Sequence, residues 1–283
     1  MIQPPSAGVI GWPVAHSRSP LIHRFWLGKL GLDGDYGRFP VHPDRLGDAV
    51  RTLPVLGLRG VNVTVPHKVA VMAHLDRVDA LAVKVGAVNT IVVEDGALVG
   101  YNSDVAGVVA ALSGVNLAGV SILVIGAGGA ARAAVAALDG SRAGEVLVVA
   151  RDAGKALALT RPFDVVGVGV PFARLADTIA SVEVLINASP LGMSGQCGFA
   201  SEVLAAVGRC EAEMTVFDMV YAPLETPLLA TARASGLRIV DGLSMLIGQA
   251  AAAFALFFGA PAPREHDAEL RALLMAALAA KPL

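Results

Sequence analysis

Ser121-Ile122-Leu123-Val124-Ile125-Gly126-Ala127-Gly128-Gly129-Ala130-Ala131 decides how this chain reads. Four successive apolar residues, Ile122 to Ile125, predict a strand buried on both faces of a parallel sheet. Gly126, Gly128 and Ala131 then fit G-x-G-x-x-G/A, and an alanine-rich helix is expected from about Ala130 to Leu138. Strand, turn and helix in that order are the setting in which this spacing binds a dinucleotide. Gly126 permits the tight turn, Gly128 lets a pyrophosphate approach the backbone, and Ala131 lets helix and strand pack closely. The first N–H groups of the helix and its dipole favour phosphate charge. With no ligand, the same residues make only a glycine-rich turn.

Outward from this stretch, strand and helix alternate. Strands are expected at Glu145 to Ala150, Val165 to Val168, Val182 to Ile186, Thr215 to Val220 and Leu237 to Val240, with a helix around Lys155. The pattern predicts an α/β fold with a Rossmann-like, doubly wound parallel sheet. Ligands of such sheets bind beyond the carboxyl ends of the strands, which points to Gly126, Arg151, Asn187, Met219 and Asp241. A carboxylate after the second strand takes ribose hydroxyls, whereas an arginine suits a 2′-phosphate. Arg151, with Lys155 nearby, favours NADP. Asp152 would repel a phosphate if it pointed inward, so NAD stays possible.

The N-terminal part has a different grain. A strand at Ala7 to Ile10 runs into a loop that reaches Ser17-Arg18-Ser19-Pro20, then a helix from Leu21 to Leu30 that Gly31 can stop. A strand at Tyr36 to Val41 and a helix at Arg45 to Leu53 follow. Val61, Val63 and Val65 alternate with Asn62 and Thr64, a period-two strand that sets the polar pair on one face. Pro66 ends it, and a helix is expected from Lys68 to about Val83. Thr90 to Val93 and Ala97 to Gly100 flank Glu94-Asp95-Gly96 as a hairpin, which delivers Asn102-Ser103-Asp104 into a helix from Val105 to Leu112. Gly242 to Gly259 and Glu265 to Ala280 read as helices that return to the first domain. The division expected is 1–104 with 243–283, and 105–242.

Composition narrows the class. The chain has 283 residues, which suggests two domains, and is 55% apolar and 16% charged, as a cored protein is. With 22 basic and 24 acidic residues, its net charge of −2 gives no reason to expect a nucleic-acid partner. Two cysteines, Cys197 and Cys210, suggest no disulfide framework and fit a reducing, cytoplasmic setting. The N-terminus lacks the pattern of a signal peptide. The apolar run from Ala250 to Ala260 is shorter than the roughly 18–20 residues of a membrane span, so no membrane partner is expected.

A nicotinamide enzyme needs a group that exchanges a proton with the substrate oxygen. Lys68 is the candidate, with Asp104 able to orient it and hold its charge. His16 and His67 read as structural residues. No His, Cys and carboxylate set has metal-ligand spacing, and Ser17 lacks the strand-turn-helix setting of a nucleophile elbow.

Seven collinear blocks together resemble the shikimate dehydrogenase family, which includes shikimate and quinate dehydrogenases. They are Ala15 to Pro20, Asn62 to Lys68, Gly86 to Thr90, Asn102 to Asp104, Gly126 to Ala130, Phe217 to Tyr221 and Asp241 to Leu246. The resemblance implies an NADP-dependent reductase of 3-dehydroshikimate in aromatic amino-acid (chorismate) biosynthesis. It implies Lys68 and Asp104 as catalytic residues, and Ser17, Ser19 and Tyr221 around the substrate carboxylate. Asn62, Thr64, Asn89, Asp104 and Gln249 would surround the ring hydroxyls and the reacting oxygen. Gly126, Ala127, Gly128, Gly129, Ala130, Arg151 and Lys155 would hold the cofactor, with Met219 and Gly242 near the nicotinamide. The sequence departs from the family pattern at Ala150-Arg151-Asp152, where Asn-Arg-Thr is usual, and at Lys155, His67, Ser103 and Ser244. Serine at both Ser17 and Ser19 favours shikimate, since a threonine at the second marks quinate users. An NAD-dependent paralogue acting on quinate or an amino analogue, and a non-catalytic NADP sensor, are the alternatives. Monomer and homodimer are both compatible with the sequence.

Overall fold

The computed structural model describes residues 4–280. They divide into two compact units, the chain up to Gly107 together with Ile247–Ala277, and Val108–Leu246 together with residues 278–280.

The first unit is built on a mixed sheet. β1 (Ser6–Gly11) is followed by α1 (Ser19–Leu30), which ends where Gly31 turns left-handed at φ 61°. Then come β2 (Asp35–Pro40), α2 (Leu46–Thr52), β3 (Leu58–Val63), β4 (Arg77–Val78), α3 (Ala80–Val85), β5 (Thr90–Glu94), β6 (Ala97–Tyr101) and α4 (Asp104–Leu112). The strand order is β2-β1-β3-β5-β6-β4. β1 runs parallel to β2 and β3, while β5 and β6 form the expected antiparallel hairpin. Asp95 and Gly96 turn it at φ 51° and 84°, the conformation that matches strand twist in a tight hairpin.

The helix expected from Lys68 to Val83 does not form. A turn carries Lys68, Ala70–His74 is a short 3₁₀ helix, β4 pairs with β6, and only Ala80–Val85 is α-helical. Two carboxylates divert the chain. Asp76 accepts from the Leu98 N–H (2.7 Å) while its own N–H donates to the Leu98 carbonyl (3.0 Å). Asp79 accepts from the Leu81 N–H at 2.9 Å and caps α3. Short polar side chains that bond backbone groups in this way compete with helix continuation.

The second unit holds β7 (Ile122–Ile125), α5 (Gly129–Ala137), β8 (Val146–Ala150), α6 (Ala153–Ala158), β9 (Gly167–Pro171), α7 (Leu175–Ile179), β10 (Val184–Asn187), α8 (Ser201–Val207), β11 (Thr215–Asp218), α9 (Pro227–Ala234) and β12 (Arg238–Val240). The pairings are all parallel, in the order β12-β11-β10-β7-β8-β9. All four residues of β7 are buried, as a strand covered on both faces must be. Strand order reverses between β7 and β10, the switch point at which doubly wound sheets bind ligands. β9 lies later than expected and β11 stops at Asp218 instead of Val220.

α10 (Gly242–Phe258) and α11 (Asp267–Ala280) complete the chain, and Ile247–Ala277 belongs to the first unit. There Ala253 and Phe257 are buried with Ala7, Val9, Tyr36 and Val92. The opposite face of the sheet, with Ile10, Val61, Val63 and Ile91, is buried with Leu46 and Val50 of α2. Gly60 is required where the layers meet: a Cβ there would lie 2.1 Å from the Ile91 carbonyl oxygen and 2.8 Å from the Phe257 ring. Among the described residues, no helix is long and apolar enough to cross a membrane.

Candidate active site

In the first unit, the chemistry-bearing residues gather at the ends of β1, β3 and β6. Lys68 Nζ meets Asp104 Oδ2 at 2.5 Å, with side-chain exposures of 20% and 6%. Asp104 opens α4, whose first turn is held by Asn102: its Oδ1 accepts from the Val105 N–H and its Nδ2 donates to the Ala87 carbonyl. The Lys68 carbonyl accepts from the Val88 N–H (2.8 Å), so the lysine's own backbone is also pinned.

Behind this pair runs a buried polar row. The Tyr36 hydroxyl donates to Asn62 Oδ1 at 2.6 Å, and Asn62 Nδ2 donates to the Asn89 carbonyl and to Thr90 Oγ1 (3.0 Å). Thr90 Oγ1 donates to Asn89 Oδ1, which also accepts from the Ser103 N–H at 2.6 Å. The strand pairings impose this: Asn62 stands opposite Thr90, and Tyr36 opposite Ala7, a residue small enough to let the ring pass. Asn62 thus has most of its hydrogen-bonding capacity engaged inside the sheet. Thr64 is half-buried just past β3, and its methyl group occupies the space beside Gly11, where a Cβ would lie 2.4 Å away.

Ser17 and Ser19 are buried at the start of α1, linked Oγ to Oγ at 3.3 Å. The helix enters without a side-chain cap and with no acidic residue in its first turn. Gln249 is buried on α10, within the same unit.

The second unit supplies the glycine turn. Gly126 sits at φ 118°, a conformation that L side chains rarely adopt, and a Cβ there would lie 3.0 Å from the Ala188 carbonyl oxygen after β10. A Cβ at Gly128, in contrast, would meet nothing within 4 Å. α5 begins there with no side-chain cap and no acidic residue in its first turn, while Ala131 is fully buried as close packing requires. Open space in front of uncapped N–H groups fits a bound pyrophosphate. Arg151 and Lys155 are exposed beyond β8. Asp152 Oδ1 accepts from the Lys155 N–H (3.1 Å) and caps α6, so that carboxylate has a structural task at a position where repulsion was a concern.

Met219, Tyr221 and Gly242 also lie in this unit. A Cβ on Gly242 would come within 2.6 Å of the Met219 and Val220 carbonyl oxygens, so glycine is needed for that approach. The segment is anchored by a group that sequence reading passed over. Asp218, fully buried, accepts from Asn187 Nδ2 (2.9 Å), the Val220 N–H (3.0 Å) and Thr226 Oγ1 (2.6 Å). Burial pushes its carboxyl above the usual range, against the pull of those three donors. The available signal was an acid ending an otherwise apolar strand. Tyr36 gave no comparable signal, because its partner lies two strands away.

His67 is buried with Nε2 at 2.8 Å from the Val41 carbonyl oxygen, and His16 is exposed. The buried ring thus ties two backbone segments together, as a structural histidine does. Among the described residues, no group of His, Cys, Asp and Glu is arranged to hold a metal.

Comparison with known proteins agrees along most of the chain. Residues 9–91 match the shikimate dehydrogenase substrate binding domain, residues 109–218 the shikimate / quinate 5-dehydrogenase model, and residues 242–269 the shikimate 5′-dehydrogenase C-terminal domain. The shikimate dehydrogenase (NADP(+)) of Sphingopyxis alaskensis is 47% identical over 276 residues, covering 96% of this chain and 97% of its own. Shikimate 5-dehydrogenase from Thermus thermophilus, solved with NADP(H) and shikimate, superposes with a TM-score of 0.82 at 35% identity, covering 95% of this chain and 99% of that one. Quinate dehydrogenase from Corynebacterium glutamicum, solved with NAD, gives 0.84 at 31% identity, covering 95% and 99%. With fold, glycine turn and sequence in agreement over nearly all of its length, the chain belongs to the shikimate dehydrogenase family.

Proposed function

We propose that this chain catalyses the reversible, NADP-dependent reduction of 3-dehydroshikimate to shikimate, a step in the biosynthesis of aromatic amino acids. The observation that carries the reading is the Lys68–Asp104 pair at 2.5 Å, set in the unit that also holds the serine loop and the buried asparagines.

Asp104 engages one donor of the Lys68 ammonium and leaves others for a substrate oxygen. In reduction, Lys68 gives a proton to the C3 oxygen as it becomes an alkoxide, and in the reverse direction it takes that proton back. Asp104 keeps the ammonium aimed. NADP, when bound, supplies or accepts the hydride. Ser17, Ser19 and Tyr221 take the substrate carboxylate. Thr64, Asn89 and Gln249 take ring hydroxyls, together with the lone pair that Asn62 Oδ1 retains. Backbone groups from Gly126 to Ala130 take the pyrophosphate, Arg151 and Lys155 the 2′-phosphate, and Met219 and Gly242 border the nicotinamide. In this reading, residues 1–104 with 243–283 form the substrate-binding catalytic domain and 105–242 the dinucleotide-binding domain. The enzyme works in the cytoplasm as a monomer or homodimer.

The test is absorbance in the reduced-nicotinamide band, with shikimate or quinate as substrate and NADP or NAD as acceptor. The expected result is the steepest rise with shikimate and NADP. A rise only with quinate and NAD, or none from folded protein that still binds NADP, overturns the proposal.

A further inference from the structure

We infer that Arg38 is the positioning residue for the substrate carboxylate: its guanidinium clamps the Ser17 carbonyl and supplies, beside two neutral hydroxyls, the positive charge that they lack. The inference rests on the reading of Ser17 and Ser19 as the carboxylate site.

Arg38 lies on β2, two residues after Tyr36 and on the same face of the strand. Its Nε and Nη2 both donate to the Ser17 carbonyl oxygen, at 2.9 and 2.6 Å. Both arms of the fork converge on one oxygen, so the cation sits directly against the peptide that joins Ser17 to Arg18. The Ser17 N–H is held in turn by the Val14 carbonyl (3.1 Å), and Ser17 Oγ accepts from the Ser19 N–H (3.3 Å). The loop that presents the two hydroxyls is thus held by its own backbone and hydroxyl bonds, and the arginine's charge is applied to it at the Ser17 carbonyl.

The charge argument comes from the neighbouring arginines. Arg24 is matched by Asp35, with bonds of 2.7 and 3.3 Å. Arg18 donates to the Ala277 carbonyl on α11. Among the described residues, no carboxylate is paired with Arg38, and burial, together with its neighbours Arg18 and Arg24, pulls its pKa down. The loop thus sits in a positive field, at the start of a helix whose first turn carries no acid. A carboxylate bound by serine hydroxyls alone would keep its charge unbalanced. Here the balance acts through the Ser17 peptide.

Steady-state kinetics with shikimate and with its uncharged methyl ester test this on the whole enzyme. Arg38→Gln removes the charge, and Arg38→Lys keeps charge but loses the fork. An interaction with a charged group of ordinary strength predicts that Arg38→Gln raises KM for shikimate about tenfold. The KM values for the ester and for NADP, and kcat with shikimate, stay within about twofold, and Arg38→Lys falls between. Equal losses for shikimate and ester show a merely structural role and overturn the inference, as does an unchanged KM for shikimate. If Arg38→Gln does not fold, Arg38→Lys with the same pair of substrates decides. Ser17→Ala and Ser19→Ala serve as controls. If both leave the shikimate KM unchanged, the serine-site reading fails, a result distinct from failure of the arginine.

Discussion

Compare the middle strands of the two sheets. β3 carries Asn62 between buried valines, and that amide links Tyr36 on one side to Thr90 on the other. β7 is Ile-Leu-Val-Ile, buried throughout, and its polar business begins only after the strand ends, at a glycine turn and uncapped helix N–H groups. On the proposed reading, the difference follows from the ligands. A polyhydroxy ring must be distinguished from its isomers, and side chains placed one by one can do that. A pyrophosphate is much the same in every dinucleotide, and backbone N–H groups with a helix dipole suffice. The first unit accordingly sets a polar side chain within its middle strand, while the second keeps its middle strand wholly apolar and confines its buried polar network to the ends of β10 and β11, at Asn187 and Asp218.

The largest expected effect comes from removing the proton-transfer group. Lys68→Ala should lower kcat by about 10²–10⁴-fold, the usual cost of losing a general acid, with NADP affinity unchanged by fluorescence titration. Near-normal turnover would break the comparison on its side-chain half. On the backbone half, Gly128→Asp puts a carboxylate into open space. It should leave the melting temperature nearly unchanged and weaken NADP about ten- to a hundredfold, because it meets the phosphate and no protein group. A loss of stability equal to the loss of affinity would show that the turn is structural.

Tyr36→Phe sharpens the contrast. It deletes the hydroxyl that holds Asn62 and should cost about 1–3 kcal/mol in urea unfolding, the penalty for an unmet buried polar group. His23, on α1, stacks on the same Tyr36 ring at 4.1 Å, and among the described residues neither of its ring nitrogens has a hydrogen-bond partner. Burial lowers its pKa from 6.5 to about 3. The unfolded chain therefore binds a proton below pH 6.5 that the folded chain refuses, and stability is lost as pH falls from about 6.5 towards 3. His23→Phe should remove this dependence. Wild type should lose stability relative to the variant by up to about 1.4 kcal/mol per pH unit between about pH 6 and 5. A constant difference between the two would show that this ring does not titrate. The smallest effect is expected at exposed Arg151, where Arg151→Ala should weaken NADP about tenfold and NAD hardly at all, measured as the ratio of the two KM values.

What the sequence disclosed divides along the same line. The turn at Gly126 was legible because its cause is local: a positive φ that glycine tolerates, between an apolar run and an alanine-rich helix. The hairpin at Asp95 and Gly96 was legible for the same reason. The segment after Lys68 was not. Its apolar spacing resembles a helix, but Asp76 is drawn to Leu98 and breaks it, a pairing across 22 residues. Asp218 with Asn187, Arg38 with Ser17 and Tyr36 with Asn62 are likewise contacts between strands or loops far apart in the chain. Resemblance could name candidate site residues from short local motifs, while the groups that hold those candidates in place are set by contacts that leave no local signal.

The first unit is discontinuous, closed by α10 and α11 only at the chain's far end, and this sets a timetable for synthesis. The face of its sheet that bears Tyr36 and Val92 awaits Ala253 and Phe257. Between Gly107 and Ile247 a ribosome must add the whole second unit, which at about 5–20 residues per second takes roughly 7–28 s. Throughout that interval the nascent chain carries an uncovered aromatic and aliphatic surface, a natural substrate for chaperones that shield apolar segments.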